Sequence, residues 1–149
     1  MEIDDELVSG VLAASRTLLA IATLSMAAAP TEVTLPQFRA LVVIASRGPQ
    51  LMSALARTMS LLPSSATRLV ERLERKGLVE RNRSVTSRRE IELSLTPAGV
   101  ELVQIVMDTR QREIERVLAE MPADQRRPLL ESFRAFALAA GEPLDLLIS

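Results

Sequence analysis

The chain has 149 residues, of which 48% are hydrophobic and only 2% aromatic, and its formal net charge is −1. This length is sufficient for one domain with its own core, and the abundance of Ala, Leu and Val predicts a helical protein with an aliphatic core. The sequence contains neither cysteine nor histidine. Disulfides, thiol sensors and zinc–thiolate sites are therefore excluded, and the commonest general base and transition-metal ligand are missing.

Basic side chains are concentrated in the middle of the chain. Residues 51–95 hold 9 basic and 5 acidic side chains, whereas residues 1–50 hold 3 and 5, and residues 96–149 hold 6 and 9. A basic centre between acidic ends is what a local DNA-contact surface would produce, although an excess of this size also arises by chance.

A long first helix is predicted from Asp4 to about Ala28, where Pro30 ends it. Residues 18–29 are apolar nearly all round, so this part of the helix must be covered on more than one side. The preceding residues are acidic, the wrong sign for a signal peptide, and the run is shorter than the roughly 18 residues of a membrane span. We therefore predict a buried helix in a cytoplasmic protein with no membrane contact. Its cover is either a monomer's own core or, as we favour, a second subunit.

A second helix begins at Thr34, because Thr34 and Gln37 have the spacing of a capping box, and it ends at Gly48. A short helix over about Met52–Met59 follows. After a connection of about three residues, Pro63 occupies the first position of another helix. Two helices joined so closely predict a helix-turn-helix.

The helix that follows Pro63 is the candidate DNA-reading element. Its apolar residues have helical spacing and form one buried stripe: Ala66, Leu69, Val70 and Leu73. The opposite face carries hydroxyls and arginines, which bind phosphates and base edges in a DNA groove: Ser64, Ser65, Thr67, Arg68, Arg72 and Arg75. Glu71 and Glu74 share the helix, so a solvated helix of mixed charge is the alternative.

A β-hairpin is predicted next. Gly77 ends the helix, residues 78–81 form a short strand, and residues 90–95 alternate strictly between polar and apolar. The tip between the strands is basic and contains Arg83, Arg88 and Arg89. Beside a helix-turn-helix, such a hairpin predicts the wing of a winged helix, and an ordinary solvated hairpin is the alternative.

Two helices complete the chain, one from Thr96 to about Glu120 and one over about residues 123–140. Pro128 lies inside the second, which either kinks there or effectively begins there. The residues predicted to face inward on this last helix are Leu129, Leu130, Phe133, Phe136 and Ala137. The predicted fold class is mainly α with a small β-hairpin wing.

Several motifs, taken together and in order, resemble the MarR family of transcriptional regulators: TLPQFRAL (34–41), SALA (53–56), TRLVERLE (67–74), KGLVER (76–81), SRR (87–89) and LTPAG (95–99). The resemblance implies a homodimer with a winged helix-turn-helix lobe at residues 34–96 and dimerisation helices at residues 1–33 and 97–149. It further implies a pseudopalindromic double-stranded DNA operator and a repressor released by a small-molecule effector that binds between the two regions.

The resemblance also assigns DNA contacts. Ser64, Ser65, Thr67 and Arg68 match the groove-reading residues, and Arg88 and Arg89 match the wing tip, whose arginine enters the minor groove. Arg72 and Arg83 complete our DNA-binding set. Three residues depart from the family pattern: Leu51 and Leu62 replace helix-capping residues, and Ser87 replaces an aspartate that normally holds the wing.

Two other functions remain open. A winged-helix dimer that acts through protein–protein contact without binding DNA would fit the three departures. An enzyme is disfavoured, because no phosphate loop, nucleophile–base pair or metal-ligand spacing is visible, and we predict neither cofactor nor metal. For the effector pocket, the candidate wall residues are Met26, Phe38, Met52 and Met107, for which core packing is the alternative role.

Overall fold

The structure, a computed structural model, describes residues 3–85 and 89–142. In that part of the chain it contains six helices and three short strands: α1 (Asp5–Ala27), α2 (Leu35–Arg47), β1 (Gln50–Leu51), α3 (Met52–Thr58), α4 (Pro63–Arg75), β2 (Val79–Arg83), β3 (Ile91–Leu95), α5 (Pro97–Glu120) and α6 (Ala123–Ala139). The predicted mainly α fold with a hairpin wing is confirmed, and the helix boundaries agree with the sequence to within one or two residues.

The strands form one antiparallel sheet in the order β1–β3–β2. The wing hairpin pairs Val79 with Leu95 at its base and Arg83 with Ile91 near its tip. The third strand, β1, was not predicted; it pairs Gln50 with Leu93. Because β1 leads directly into α3, it joins the helix-turn-helix to the wing.

The core lies within residues 34–96, which we call the central lobe, and extends into the first half of α5. Its largest fully buried side chains come from α2, α3, α4, the turn after α4, β3 and α5: Leu41, Leu55, Leu73, Leu78, Leu93 and Leu102. The predicted stripe of α4 faces this core, with Ala66, Val70 and Leu73 buried and Leu69 half-buried.

The turn after α4 joins the central lobe to α5. Gly77 has a φ of 72°, the left-handed conformation that ends many helices. The hydroxyl of Thr96 donates to the backbone oxygen of Gly77 at 2.6 Å. A Cβ atom at Gly99 would lie 2.2 Å from the backbone oxygen of Leu78, so only glycine permits this close contact of α5 with the turn.

The prediction that α1 is a buried helix is wrong for the single chain. Ser25 is the only buried residue among the 23 of this helix, all of which are described, and Leu7, Leu12 and Leu19 are more than half exposed. The sequence argument that this segment is too short to span a membrane also fails. The whole helix, with a mean hydropathy of 1.7 over its most apolar 18 residues, is long and apolar enough to cross one. The argument counted residues 18–29 alone.

The inward face predicted for α6 is likewise not buried in the single chain. The helix runs unbroken through Pro128, so it does not begin there. None of its described residues is buried, and Phe136 is 58% exposed. Periodicity identifies an apolar face but not the surface that covers it, and this chain does not cover the face itself.

Candidate nucleic-acid interface

The outer face of α4 presents its polar side chains to solvent. Pro63 starts the helix, and Leu62 supplies no side-chain cap, in line with the departure seen in the sequence. Ser64, Ser65, Arg68 and Arg72 are exposed, and Thr67 is half-exposed. The Thr67 hydroxyl donates to the backbone oxygen of Pro63 at 2.9 Å, so its oxygen still has lone pairs for an outside donor.

Two clefts flank α4 and make it a ridge. The first, of about 490 Å³, lies on the wing side and is lined by Thr67 together with Arg89 and residues of α3. The second, of about 340 Å³, lies between α4 and the start of α2 and is lined by Ser65, Arg68 and Arg72. A ridge that carries hydroxyls and guanidinium groups has the form needed to enter a groove of a nucleic acid.

The acidic residues of α4 are bound on a different side of the helix. Arg81, on β2, donates through Nε to the Glu74 carboxylate, and its Nη2 lies 3.9 Å from Glu71. Within the described ranges 3–85 and 89–142, no ion pair involves Arg68 or Arg72. The mixed charge that favoured a merely solvated helix is thus separated into a paired side and a free cationic side.

The described ends of the wing are also basic. Arg83 and Arg89 are exposed, and the amide of Ser84 donates to the backbone oxygen of Glu90 at 3.0 Å. Arg88 and Ser87 lie outside the described residues, so the predicted minor-groove contact of Arg88 stays a prediction. The sequence pattern gave no sign of the Arg81 contacts, because seven residues and a turn separate Arg81 from Glu74.

The four residues predicted to line an effector pocket lie in or against one core. Phe38 is buried within it, and Met26, Met52 and Met107 pack against it. Met52 also lines the wing-side cleft. Core packing, the alternative role, therefore accounts for the position of each, and their role in a pocket stays a prediction.

Arg110 is a polar group that the sequence did not single out. It lies on α5, with its Cζ 5.2 Å from the centre of the Phe38 ring, and its Nε donates to the Ser25 hydroxyl at 3.2 Å. Its Nη2 is buried without a hydrogen-bond partner among the described residues, and burial lowers the pKa of this guanidinium. This free N–H can donate to an anionic group at the junction of α1, α2 and α5. No cluster of residues able to hold a metal ion occurs in the described ranges.

Comparison with known proteins agrees with this geometry. The MarR family model matches residues 33–91. The transcriptional repressor Rv2887 of Mycobacterium tuberculosis is 36% identical over 104 residues, which cover 69% of this chain and 74% of the repressor. The crystal structure of RV1404 from the same species is 37% identical with a TM-score of 0.86 and covers 95% of this chain and 97% of that one.

A third relative was solved with a ligand bound. The PcaV transcriptional regulator from Streptomyces coelicolor, in complex with its natural ligand, is 24% identical with a TM-score of 0.66 and covers 94% of this chain and 99% of its own. At this identity it supports the fold alone. From the family match and the closer relatives, the chain belongs to the MarR family of helix-turn-helix transcriptional regulators, which are DNA-binding proteins and not enzymes.

Proposed function

We propose that this protein is a cytoplasmic homodimer that binds a pseudopalindromic operator in double-stranded DNA and represses transcription there. The observation that carries the proposal is the ridge of α4, whose free arginines and hydroxyls stand between two clefts on a lobe with a closed core. Arginine donates two hydrogen bonds to guanine in the major groove, which suits the exposed Arg68 on the outer face of α4.

The other predicted contacts surround this ridge. Ser64, Ser65 and Arg72 are placed to bind phosphates or base edges beside Arg68. Thr67 donates its hydroxyl proton to Pro63, so it is placed to accept from a base amino group. Arg83 and Arg89 stand at the described ends of the wing, and Arg88, which lies outside the described residues, is assigned to the wing tip by the family resemblance. An arginine there is attracted by the negative potential of a narrow minor groove. Phosphate contacts orient the protein on the duplex, while the base contacts of α4 give sequence specificity.

The exposed apolar faces of the terminal helices support the dimer, with residues 1–33 and 97–149 as the dimerisation region. Large apolar side chains of α1 and α6 are uncovered in the single chain, including Leu12, Leu19 and Phe133. A second copy would remove them from water, which contributes about 25 cal/mol per Å² of apolar surface. A membrane is a poorer cover, because Arg16 lies in the middle of α1. Two-fold symmetry then places the half-sites roughly 10 bp apart.

The junction of α1, α2 and α5 supports release by a small-molecule effector. Arg110 offers a buried guanidinium N–H without a hydrogen-bond partner there, between the central lobe and the dimerisation helices. The regulator PcaV was solved with its natural ligand, so this fold accommodates one in a relative. An anionic ligand held at Arg110 would change how the two regions pack, and with it the separation of the two α4 helices.

The test is selection of bound sequences from random double-stranded DNA, followed by fluorescence anisotropy on the selected operator. Two half-sites one helical turn apart are expected. Arg68→Ala should weaken specific binding by about 1–3 kcal/mol and change non-specific binding less. The matched control is Arg112→Ala, which removes an exposed arginine of α5. If no sequence is enriched, or if DNA anisotropy does not rise at low salt when the protein is added, a winged-helix dimer that acts through protein–protein contact is favoured instead.

A further inference from the structure

Lys76, directly after α4, is the only lysine among the 18 basic residues of the chain. Its Nζ donates to the backbone oxygen of Glu32 and to the side-chain oxygen of Gln37, the latter at 3.0 Å. Glu32 lies in the connection between α1 and α2, and Gln37 lies in the first turn of α2. An ammonium group has three rotatable donors, so it can bind acceptors in two segments at once, whereas a guanidinium fork suits one planar partner.

The acceptor on α2 is held in a fixed position. Gln37 is buried, and its side-chain oxygen also accepts from the amide of Thr34 at 3.0 Å. The Thr34 hydroxyl in turn accepts from the amide of Gln37 at 3.3 Å, which completes the capping box. The ammonium of Lys76 is therefore bound to the ordered start of a helix, and not to a freely rotating side chain.

The same turn is held on its other side by α5. Thr96 donates to Gly77, and Gly99 lies against the backbone of Leu78. The end of α4 is thus fixed between the segment in which α1 enters the central lobe and the segment in which α5 leaves it. Polar contacts at both segments act on one three-residue turn, Lys76 to Leu78.

We propose that Lys76 is a positioning residue that fixes α4 relative to the dimerisation helices and so sets which half-site spacing the dimer accepts. This inference rests on the proposed function. A single half-site is read by one α4 alone, so a small change in the position of this helix weakens that contact little. Two half-sites must be met together, so the same change alters the preference between spacings.

The first experiment measures this preference directly. Anisotropy titrations compare the selected operator with operators that carry one base pair more or one fewer at the centre, which rotates the half-sites by about 35° relative to each other. The quantity compared is the spacing ratio, the affinity for the selected operator divided by that for an altered operator. Lys76→Met keeps a similar apolar stem but loses the donors, and its spacing ratio should fall by about three- to tenfold, the usual contribution of an internal hydrogen bond. Lys76→Arg, which keeps the charge but whose guanidinium fork suits one planar partner, should give a ratio between those of Lys76→Met and the wild type.

The matched control is Arg75→Met, which removes the same charge from the adjacent exposed position. It is expected to leave the spacing ratio unchanged, whatever it does to the affinity for all three operators. If Lys76→Met instead weakens binding to all three operators equally and flattens the salt dependence by about one unit of slope, Lys76 is a phosphate contact and the inference is wrong. An unchanged ratio in Lys76→Met overturns it as well.

A second measurement needs neither Lys76→Met nor any measurement of DNA affinity. Reductive methylation modifies only Lys76 and the terminal amino group, since the chain has no other lysine. In the free protein Lys76 should react several-fold more slowly than in Gln37→Met, which lacks the acceptor, and operator DNA should add no protection. Equal rates, or protection only by DNA, would refute the contact. If the wild type selects no spaced half-sites, the proposed function fails and this role of Lys76 fails with it, while the methylation rates still report whether the contact exists.

Discussion

The central lobe and the terminal helices α1, α5 and α6 differ in how completely one chain covers their apolar side chains. Of the 16 buried hydrophobic residues among those described, 13 lie within residues 34–96, and α6 contributes none. Leu41 and Leu73 have no exposed surface, whereas Leu19 and Phe136 are more than half exposed. The central lobe therefore has a core of its own, and the terminal helices have apolar faces that the single chain leaves uncovered.

This difference separates two kinds of stability. A closed core contributes to folding at any protein concentration, whereas faces shared between subunits contribute only as far as the dimer forms. Substitutions in the two regions should accordingly be detected by different measurements. Three substitutions, taken from the largest expected effect to the smallest, examine the contrast.

The largest effect is expected in the central lobe. Leu41→Ala removes a fully buried side chain and should lower the free energy of unfolding by about 2–5 kcal/mol, through lost burial and a residual cavity. Urea titration followed by circular dichroism measures it. Leu62→Ala, at a position that is 72% exposed, is the control and should change stability little. A loss below about 1 kcal/mol in Leu41→Ala would show that the core is not closed.

The second effect should appear in association. Phe136→Ala trims a side chain that is exposed in the single chain, and it should weaken the proposed dimer by about 1.5–3 kcal/mol, or roughly 10- to 150-fold in dissociation constant. Sedimentation equilibrium at several concentrations measures the constant. Leu62→Ala again serves as the exposed control. A wild type that stays monomeric at micromolar concentration would contradict the shared-face interpretation altogether.

The smallest effect concerns polar contacts. Arg81→Met removes the pair with Glu74, whose two side chains are about one third exposed, and should cost roughly 0.2–1 kcal/mol of unfolding free energy. The cost should shrink in high salt, because salt screens partly exposed charges. Arg116→Met, which removes a more exposed pair with Glu113 on α5, should cost less. A larger loss in Arg116→Met would reverse the order expected for the two regions.

Much of the fold could be predicted from the sequence, because local signals mark most of its elements. The Thr34–Gln37 capping box is formed as predicted, Pro63 starts α4, and Gly77 takes the left-handed conformation after it. The alternating residues 90–95 correspond to β3. Caps, breakers and periodicity depend on neighbouring residues, so they can be recognised without knowledge of the tertiary structure.

The errors arise where distant segments meet. Strand β1 has only two residues and no periodicity, so nothing in its sequence distinguishes it from a loop. The bond between Lys76 and Gln37 spans 39 residues, and that between Arg110 and Ser25 spans 85. The exposure of α6 was missed for another reason. The spacing of its apolar residues is the same whether its own chain or a second one covers them.

The contact of Gly99 with the backbone of Leu78 has a consequence for the whole of α5. Because the facing atoms are backbone, a side chain at residue 99 can be accommodated only if the start of the helix moves away. A helix of 24 residues is about 36 Å long, so a tilt of about 5° at this end displaces the other end by about 3 Å. The absence of a side chain at Gly99 therefore sets the direction of α5, and with it the position of the far end of this helix.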